Sequence, residues 1–290
     1  LKQAQITVGD WTMQTDSQIL VPYKGRALEP FTVYKVKITA EDDAGETAQA
    51  ETQFETGRMG TPWDGQWISD SAYRFTEKKV SPVPMMFRRK IKCTKKIKSA
   101  KLYASALGIY ELAVNGKKAG DRYFAPGFTS YRHEMQYQTY DITEMLEEEN
   151  VLTAVAAGGW AVGSFVFTRE NRHDADRQAF LAELRITYED GTREIIGTDS
   201  SWEVTEDGPY RMADIYDGET YDATVDLEKI TWRKASVEKL KFEPDLRADY
   251  SSPVRAHEEM HPVSVNRLAD GTLIYDFGQN FAGVVKLSLQ

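Results

Sequence analysis

The chain has 290 residues, a formal net charge of -9, a single cysteine, and 15 Tyr, 12 Phe and 6 Trp. This length suffices for two or three domains, and the acidic balance argues against nucleic-acid partners and anionic membrane surfaces, which both require basic groups. With Cys93 alone, an intrachain disulfide is excluded and no zinc-type ligand spacing exists. No apolar run approaches the length of a membrane span.

Residues 1–57 have the pattern of β-strands. Lys35 to Ala40 alternates with a period of two, Asp42 to Gly45 has turn composition, and Thr47 to Thr56 is predicted to return as the next strand. The spacing Leu-x-Pro-x-Thr-x-Tyr before these strands resembles a fibronectin type III domain. Such sandwiches need about seven strands. We therefore predict a truncated fibronectin type III-like domain over 1–57, followed by a Gly- and Pro-containing linker.

Residues 63–235 are predicted to form the largest domain, also from strands. Lys101 to Val114 carries small and apolar residues at every second position, which predicts an inward face made of Leu102, Ala104, Ala106, Gly108, Tyr110, Leu112 and Val114. Asn115-Gly116 then predicts a type I′ hairpin turn, and Asp190-Gly191 predicts a second one. Asn150 to Ala157 is a continuous apolar strand. Helix is expected only around Asp141, where Glu144 follows three residues later in a capping-box arrangement.

The chain beyond residue 235 is predicted to hold a charged connector up to Asp249 and then a new β unit over 250–290. Asp270-Gly271 predicts a hairpin in this unit. We expect the unit to be incomplete, because the sequence ends at Gln290 in a strand-like stretch. The predicted fold class is therefore all-β, with consecutive β-sandwich domains over 1–57, 63–235 and 250–290.

Five segments occur in the order found in one enzyme family. They are YELAVNGKKAGD (110–121), APGFTSYRHEMQYQTYDIT (125–143), GGWAVGSF (158–165), DGETYDA (217–223) and YDFGQNFAGVVKL (275–287). With these segments the chain resembles the N-terminal β-sandwich region of bacterial α-L-rhamnosidases, the inverting glycoside hydrolases of family 78. The resemblance implies a jelly-roll-like second domain and, after the third β unit, a helical catalytic barrel.

No catalytic residue is predicted in this chain. Glycoside hydrolysis requires two carboxylates, roughly 6.5–9.5 Å apart in inverting enzymes. The candidate acids are Asp214, Asp217, Glu219 and Asp222, and their close spacing is more typical of a turn with self-capping Asp side chains. The resemblance agrees, because it places the catalytic acids in the barrel.

Sugar recognition is the function that the residue types favour. An aromatic face supports a sugar ring while polar side chains bind its hydroxyl groups, and Asp121, Trp160 and Asn171 supply these types in predicted loops. Some rhamnosidases carry a calcium-dependent rhamnose-binding module that this domain resembles, which makes Asp121 a candidate calcium ligand. Arg122 opposes that, because it places a cation beside the site. The structural alternatives are that Asp121 caps a turn and Trp160 belongs to the core.

Two functional hypotheses follow. The first is a non-catalytic N-terminal portion of an α-L-rhamnosidase-like hydrolase, which supports the catalytic domain of the same protein and binds rhamnose-containing carbohydrate. The second is a stand-alone β-sandwich adhesion or interaction protein. The location stays open: no signal peptide is evident, which favours the cytoplasm, but the chain begins at Leu1 rather than Met, so secretion remains an alternative.

Overall fold

The computed structural model describes residues 1–73, 75–165 and 167–288. Helix within these ranges is confined to a 3-10 turn at Thr143–Met145 and a four-residue helix, α1, at Gly159–Val162. None of the helices in the described ranges has the length and apolar character needed to cross a bilayer. The all-β prediction is confirmed.

The first unit is a four-stranded antiparallel sheet. Its strands are β1 (Gln3–Val8), β2 (Trp11–Thr15), β3 (Val33–Glu41) and β4 (Thr47–Glu55), in the order β2-β1-β3-β4. The predicted turn between β3 and β4 is present, since Asp42 Oδ1 accepts hydrogen bonds from the backbone N–H groups of Ala44 (2.9 Å) and Glu46 (2.8 Å). Every residue of β4 is exposed, so this strand covers no core of its own.

The second unit is a sandwich of two large sheets. Its strands in chain order are β5 (Ile68–Ser69), β6 (Met85–Lys92), β7 (Ile97–Leu107), β8 (Ile109–Val114), β9 (Lys117–Lys118), β10 (Glu134–Asp141), β11 (Glu149–Ala157), β12 (Ala179–Tyr188), β13 (Arg193–Gly197), β14 (Glu203–Thr205), β15 (Tyr210–Asp214), β16 (Gly218–Tyr221), β17 (Arg233–Lys234), β18 (Ser236–Val237) and β19 (Asp245–Ala248). One sheet has the order β18-β5-β12-β7-β10-β19, with β13 also paired to β12, and the other has the order β17-β14-β6-β11-β8-β9. The predicted connector thus contributes β18 and β19 to the larger sheet, and β15 and β16 form a separate hairpin.

The chain passes from one sheet to the other at Gly108. The alternating residues predicted to face inward on both sides of this point are all at most 4% exposed: Leu102, Ala104, Ala106, Tyr110, Leu112 and Val114. Gly108 has φ +111°, and a Cβ there would lie 2.1 Å from the carbonyl oxygen of Ala157. The pattern that predicts one continuous strand therefore corresponds to β7 and β8, which face each other across the same core. Phe87 and Phe180 stack across it at 5.6 Å between ring centroids.

The predicted hairpins form, but only one has the predicted turn type. Asn115 (φ +52°) and Gly116 (φ +76°) both have the positive φ of a type I′ turn between β8 and β9. In the β12–β13 hairpin, only Gly191 (φ +82°) does, and the N–H of Tyr188 bonds the carbonyl of Thr192 at 2.9 Å. This is a three-residue loop with a left-handed glycine, in which Asp190 Oδ1 accepts hydrogen bonds from the N–H (2.9 Å) and hydroxyl (2.6 Å) of Thr192.

The predicted capping box is present only in part. Asp141 Oδ1 accepts a hydrogen bond from the N–H of Thr143 at 3.1 Å. However, the 3-10 turn begins one residue later than the box requires, with Ile142 at the N-cap, and it has no side-chain cap hydrogen bond. Beyond the sandwich, the predicted hairpin at Asp270-Gly271 joins β20 (Ser264–Arg267) and β21 (Leu273–Asp276).

The linker after β4 forms a packed joint between the first sheet and the sandwich. Arg58 is 2% exposed and its Nη1 lies 2.7 Å from Oε1 of Glu183, which is 0% exposed. Its guanidinium also lies 3.9 Å from the ring centroid of Trp63. Burial by itself would raise the pKa of Glu183, but hydrogen bonds from Arg58 and from the backbone N–H of Asp64 hold it below its ordinary value. The two units are thus joined through desolvated charges.

Candidate functional site

Aromatic side chains gather at the end of the sandwich where β7 passes into β8. We call Phe124, Phe128, Trp160, Phe165 and Tyr216 the aromatic rim. Phe128 is in contact with Trp160 (5.6 Å between ring centroids) and with Phe165 (5.9 Å). Phe124 adjoins Trp160 at 6.2 Å, and Tyr216 adjoins Phe165 at 6.3 Å. Phe128 is 63% exposed, and Phe124 and Tyr216 are each 43% exposed, so the rim is a surface and not a buried cluster.

Trp160 is the centre of this rim. It lies on α1, just after β11 ends at Ala157, and its side chain is half-buried. Its indole Nε1 is 3.2 Å from the hydroxyl oxygen of Tyr216 and donates to it. The sequence allows Trp160 to be either a core residue or an exposed sugar-binding residue. Its half-buried side chain lies between these two alternatives.

Asp214 links the segment that carries Trp160 to the segment that carries Tyr216. Its buried carboxylate accepts hydrogen bonds from the hydroxyl of Ser81 and from the backbone N–H of Ser164 (2.8 Å). The glycines of α1's flanks make room for it: a Cβ on Gly158 would lie 2.8 Å, and one on Gly163 2.0 Å, from Asp214 Oδ2. These contacts pack residues 158–165 against residues 212–223. This packing is why Tyr216 is in contact with Trp160.

A shallow depression opens beside Tyr216. Its lining residues are Val80, Ser81, Arg169, Met212, Tyr216 and Asp217. Arg169 and Asp217 form an ion pair across it through Nη2 and Oδ1, with the arginine side chain 52% exposed and the aspartate 11% exposed. Two of the four candidate acids cap their own turns: Asp214 Oδ1 accepts the N–H of Tyr216 at 3.2 Å, and Asp222 Oδ1 accepts the N–H of Thr224 at 2.9 Å. Asp217 instead bonds Arg169, and Glu219 is exposed on β16.

Asp121 is exposed on the loop after β9, three residues before the rim residue Phe124. Its Oδ1 lies 3.0 Å from Nε of Arg255. The segment around Arg255 covers this loop, because Arg122 pairs with Asp249 and the N–H of Tyr123 bonds the carbonyl of Val254 at 2.9 Å.

The surroundings of Asp121 do not fit calcium. A calcium ion requires six to eight oxygen ligands, several of them charged. Asp121 faces a guanidinium, and no three His, Cys, Asp or Glu side chains within the described ranges are grouped as a metal site. We assign no metal to it.

Asn171 holds a neighbouring loop in place. Its Nδ2 donates to the carbonyl oxygens of Glu77 (3.0 Å) and Val80 (2.6 Å), so it positions one wall of the depression. Of the three predicted sugar-binding residues, the structure therefore places Trp160 in the rim, Asp121 on the loop three residues before Phe124 and paired with Arg255, and Asn171 behind the depression. Sequence reasoning missed Phe128, Arg169 and Tyr216. Tyr216 and Asp217 did stand in a recognised segment, but their spacing indicated only a turn.

Comparison with known proteins agrees with this architecture. Residues 95–267 match the family described as the alpha-L-rhamnosidase N-terminal domain, and residues 4–60 match the Rha78A-like, N-terminal immunoglobulin domain. An alpha-L-rhamnosidase of Alteromonas sp. (strain LOR) is 31% identical over 289 residues, which cover 93% of this chain and 31% of that protein.

Two solved structures share the fold over nearly the whole chain. The alpha-L-rhamnosidase of Dictyoglumus thermophilum has a TM-score of 0.82 and 26% identity, covering 97% of this chain and 35% of its own. The corresponding enzyme of Aspergillus terreus has a TM-score of 0.84 and 26% identity, covering 96% and 34%. The chain spans about a third of the length of these relatives. Because the family match covers residues 95–267 of the 290, this chain belongs to the α-L-rhamnosidase N-terminal domain family.

Proposed function

We propose that this chain is the non-catalytic N-terminal part of an α-L-rhamnosidase, and that residues 63–235 bind rhamnose-containing glycans. In the whole protein its β units would support the catalytic domain. The relatives named alpha-L-rhamnosidase are about three times as long as the matched region, which leaves room for a separate catalytic domain.

The acids near the rim support a non-catalytic role. Asp214 is buried and bonded to Ser81 and Ser164, and Asp217 is paired with Arg169. Neither carboxylate is placed like the general acid or base of an inverting glycosidase, which must face the substrate with a water between them. We expect no hydrolysis of an aryl rhamnoside by this chain. Measurable turnover that disappears in Asp217→Asn would contradict this proposal.

The aromatic rim is the observation that carries glycan binding. Phe128, Trp160 and Tyr216 present partly exposed ring faces, which are suited to the apolar side of a sugar. Asp121, on the loop that leads to Phe124, adds an exposed carboxylate for hydroxyl groups beside its partner Arg255. A shallow site of this kind exchanges water for sugar hydroxyls, so we expect dissociation constants on the order of 0.1 to 1 mM.

Titration calorimetry with L-rhamnose tests the binding. We expect heat at millimolar sugar, a weaker signal for Asp121→Ala and Trp160→Ala, and no effect of added calcium. Trp11→Ala is the matched control, since Trp11 is also half-buried beside a tyrosine (Tyr23, 4.7 Å) but belongs to the first sheet. Absence of binding at millimolar L-rhamnose would leave the sandwich with only its supporting role.

A further inference from the structure

We propose that the depression beside Tyr216 is a pocket for one neutral sugar ring, in which the Arg169–Asp217 ion pair binds two neighbouring hydroxyl groups. This inference rests on the proposed glycan binding and gives it a specific location. We call the depression the ion-pair pocket; its lining residues are Val80, Ser81, Arg169, Met212, Tyr216 and Asp217.

The walls of this pocket are held in place before any ligand arrives. On one side, Asp214 fastens the turn that carries Tyr216 and Asp217, through its bonds to Ser81 and Ser164. On the other side, Asn171 fastens the loop that ends at Val80. Binding residues gain affinity when surrounding contacts already fix their geometry. This arrangement also gives Asn171 a positioning role for the predicted sugar site.

The charges of the pocket indicate the class of ligand. Asp217 lies at the floor, 11% exposed, and Arg169 lies at the mouth, 52% exposed. A carboxylate accepts hydrogen bonds from hydroxyl groups, while a guanidinium has five N–H donors in a planar fork. Among the described residues this guanidinium makes one ion pair, through Nη2, so further donors can bond a ligand. The pair is neutral as a whole, so it offers no net electrostatic attraction to an anion or to a cation. Adjacent hydroxyls, which both donate and accept, match it.

The backbone conformation of Arg169 supports a ligand-binding role in addition to its ion pair with Asp217. Arg169 has φ +54°, in the left-handed region that long side chains rarely occupy. Strained residues of this kind concentrate at ligand sites. The Tyr216 ring next to the pair completes the combination of an apolar face with polar groups that sugar binding requires.

The test compares sugars and variants on this chain by NMR titration. For L-rhamnose, we expect Arg169→Met and Asp217→Asn each to weaken binding at least tenfold. The controls are Lys95→Met and Asp190→Asn, which disrupt an exposed ion pair (2.9 Å) at the opposite end of the sandwich; the 11-residue β7 separates the two ends by about 30 Å or more. They should bind like the wild type. Near-ultraviolet circular dichroism confirms that each variant is folded.

Three outcomes separate this inference from the proposed function. Weaker L-rhamnose binding in both pocket variants, with the two control variants unchanged, supports the pocket. Unchanged rhamnose binding in both, together with a loss in Trp160→Ala, would overturn the pocket and leave the glycan-binding function standing. If L-rhamnose does not bind at all, the rhamnose proposal fails, and D-glucose, D-glucuronate and D-glucosamine then test the pocket independently. Glucose binding that exceeds both charged sugars and is lost in Arg169→Met would support it, and any other ranking would refute it.

Discussion

Replacing Arg58 by methionine should loosen the joint between the first sheet and the sandwich. Methionine keeps most of the length of the side chain but removes the charge. In the protein, Arg58 is paired with Glu183 at 2.7 Å, its Nη2 donates to the carbonyl oxygens of Thr61 (3.2 Å) and Pro62 (2.7 Å), and its guanidinium lies over Trp63. All of these interactions are lost together in Arg58→Met.

The expected cost follows from the partners that remain. Removing one member of a buried ion pair costs roughly 3–5 kcal/mol, because the other charge stays buried without compensation. Glu183 still accepts hydrogen bonds from Nε of Arg185 and from the N–H of Asp64, both at 2.6 Å. These reduce the penalty, so we expect a loss of about 3 kcal/mol in the free energy of the first unfolding transition.

Urea unfolding followed by tryptophan fluorescence measures this loss. The double variant Arg58→Met with Glu183→Leu should recover most of the stability, since both buried charges are then gone. Lys95→Met, which removes an exposed ion pair with Asp190, is the control and should show no measurable change. A loss below about 1 kcal/mol for Arg58→Met would refute the reasoning that desolvated charges hold this joint.

Three further predictions concern the stability of the chain. Gly163→Ala should cost about 2–3 kcal/mol, because the new Cβ would lie 2.0 Å from Asp214 Oδ2 and 2.6 Å from the carbonyl oxygen of Gly159; an unchanged urea midpoint would contradict this. Trp202→Ala should cost about 3–5 kcal/mol, since Trp202 is 1% exposed and packs on Phe180 at 5.9 Å; thermal unfolding checks it, and a loss under about 1 kcal/mol would argue against a rigid core there. The pKa of Glu183 is lowered in the folded protein, so the stability that its carboxylate contributes is complete above the ordinary value of 4.5 and is lost as the pH falls through the lower folded value. The wild type should therefore lose more stability than Glu183→Gln between pH 7 and pH 3. Equal losses in urea unfolding would disprove this linkage.

The rim illustrates why part of the candidate site was outside the reach of sequence reasoning. Trp160 and Asp121 were predicted because their residue types and loop composition suit sugar binding. Arg169 and Tyr216 are 47 residues apart in the chain, and they line one depression only because Asp214 packs against the glycines around α1. No local pattern marks that contact. The contact between Arg58 and Glu183 is hidden in the same way, because these residues are 125 positions apart and belong to the predicted linker and to the second predicted domain.

The sequence by itself determined the local features of this protein. The two-residue period of Lys101 to Val114 predicted one buried face, although Tyr103, Ser105 and Leu107 on the opposite face of β7 are buried as well. Asn115-Gly116 predicted a type I′ turn, because positive φ at both positions is accessible to few residues. Only the tertiary structure decided that this stretch crosses between two sheets at Gly108, that β18 and β19 extend the sandwich, and that aromatic side chains meet at one end. The physical reason is that periodicity records which face of a strand is apolar, whereas strand order and the contacts between distant segments depend on the packing of the whole chain.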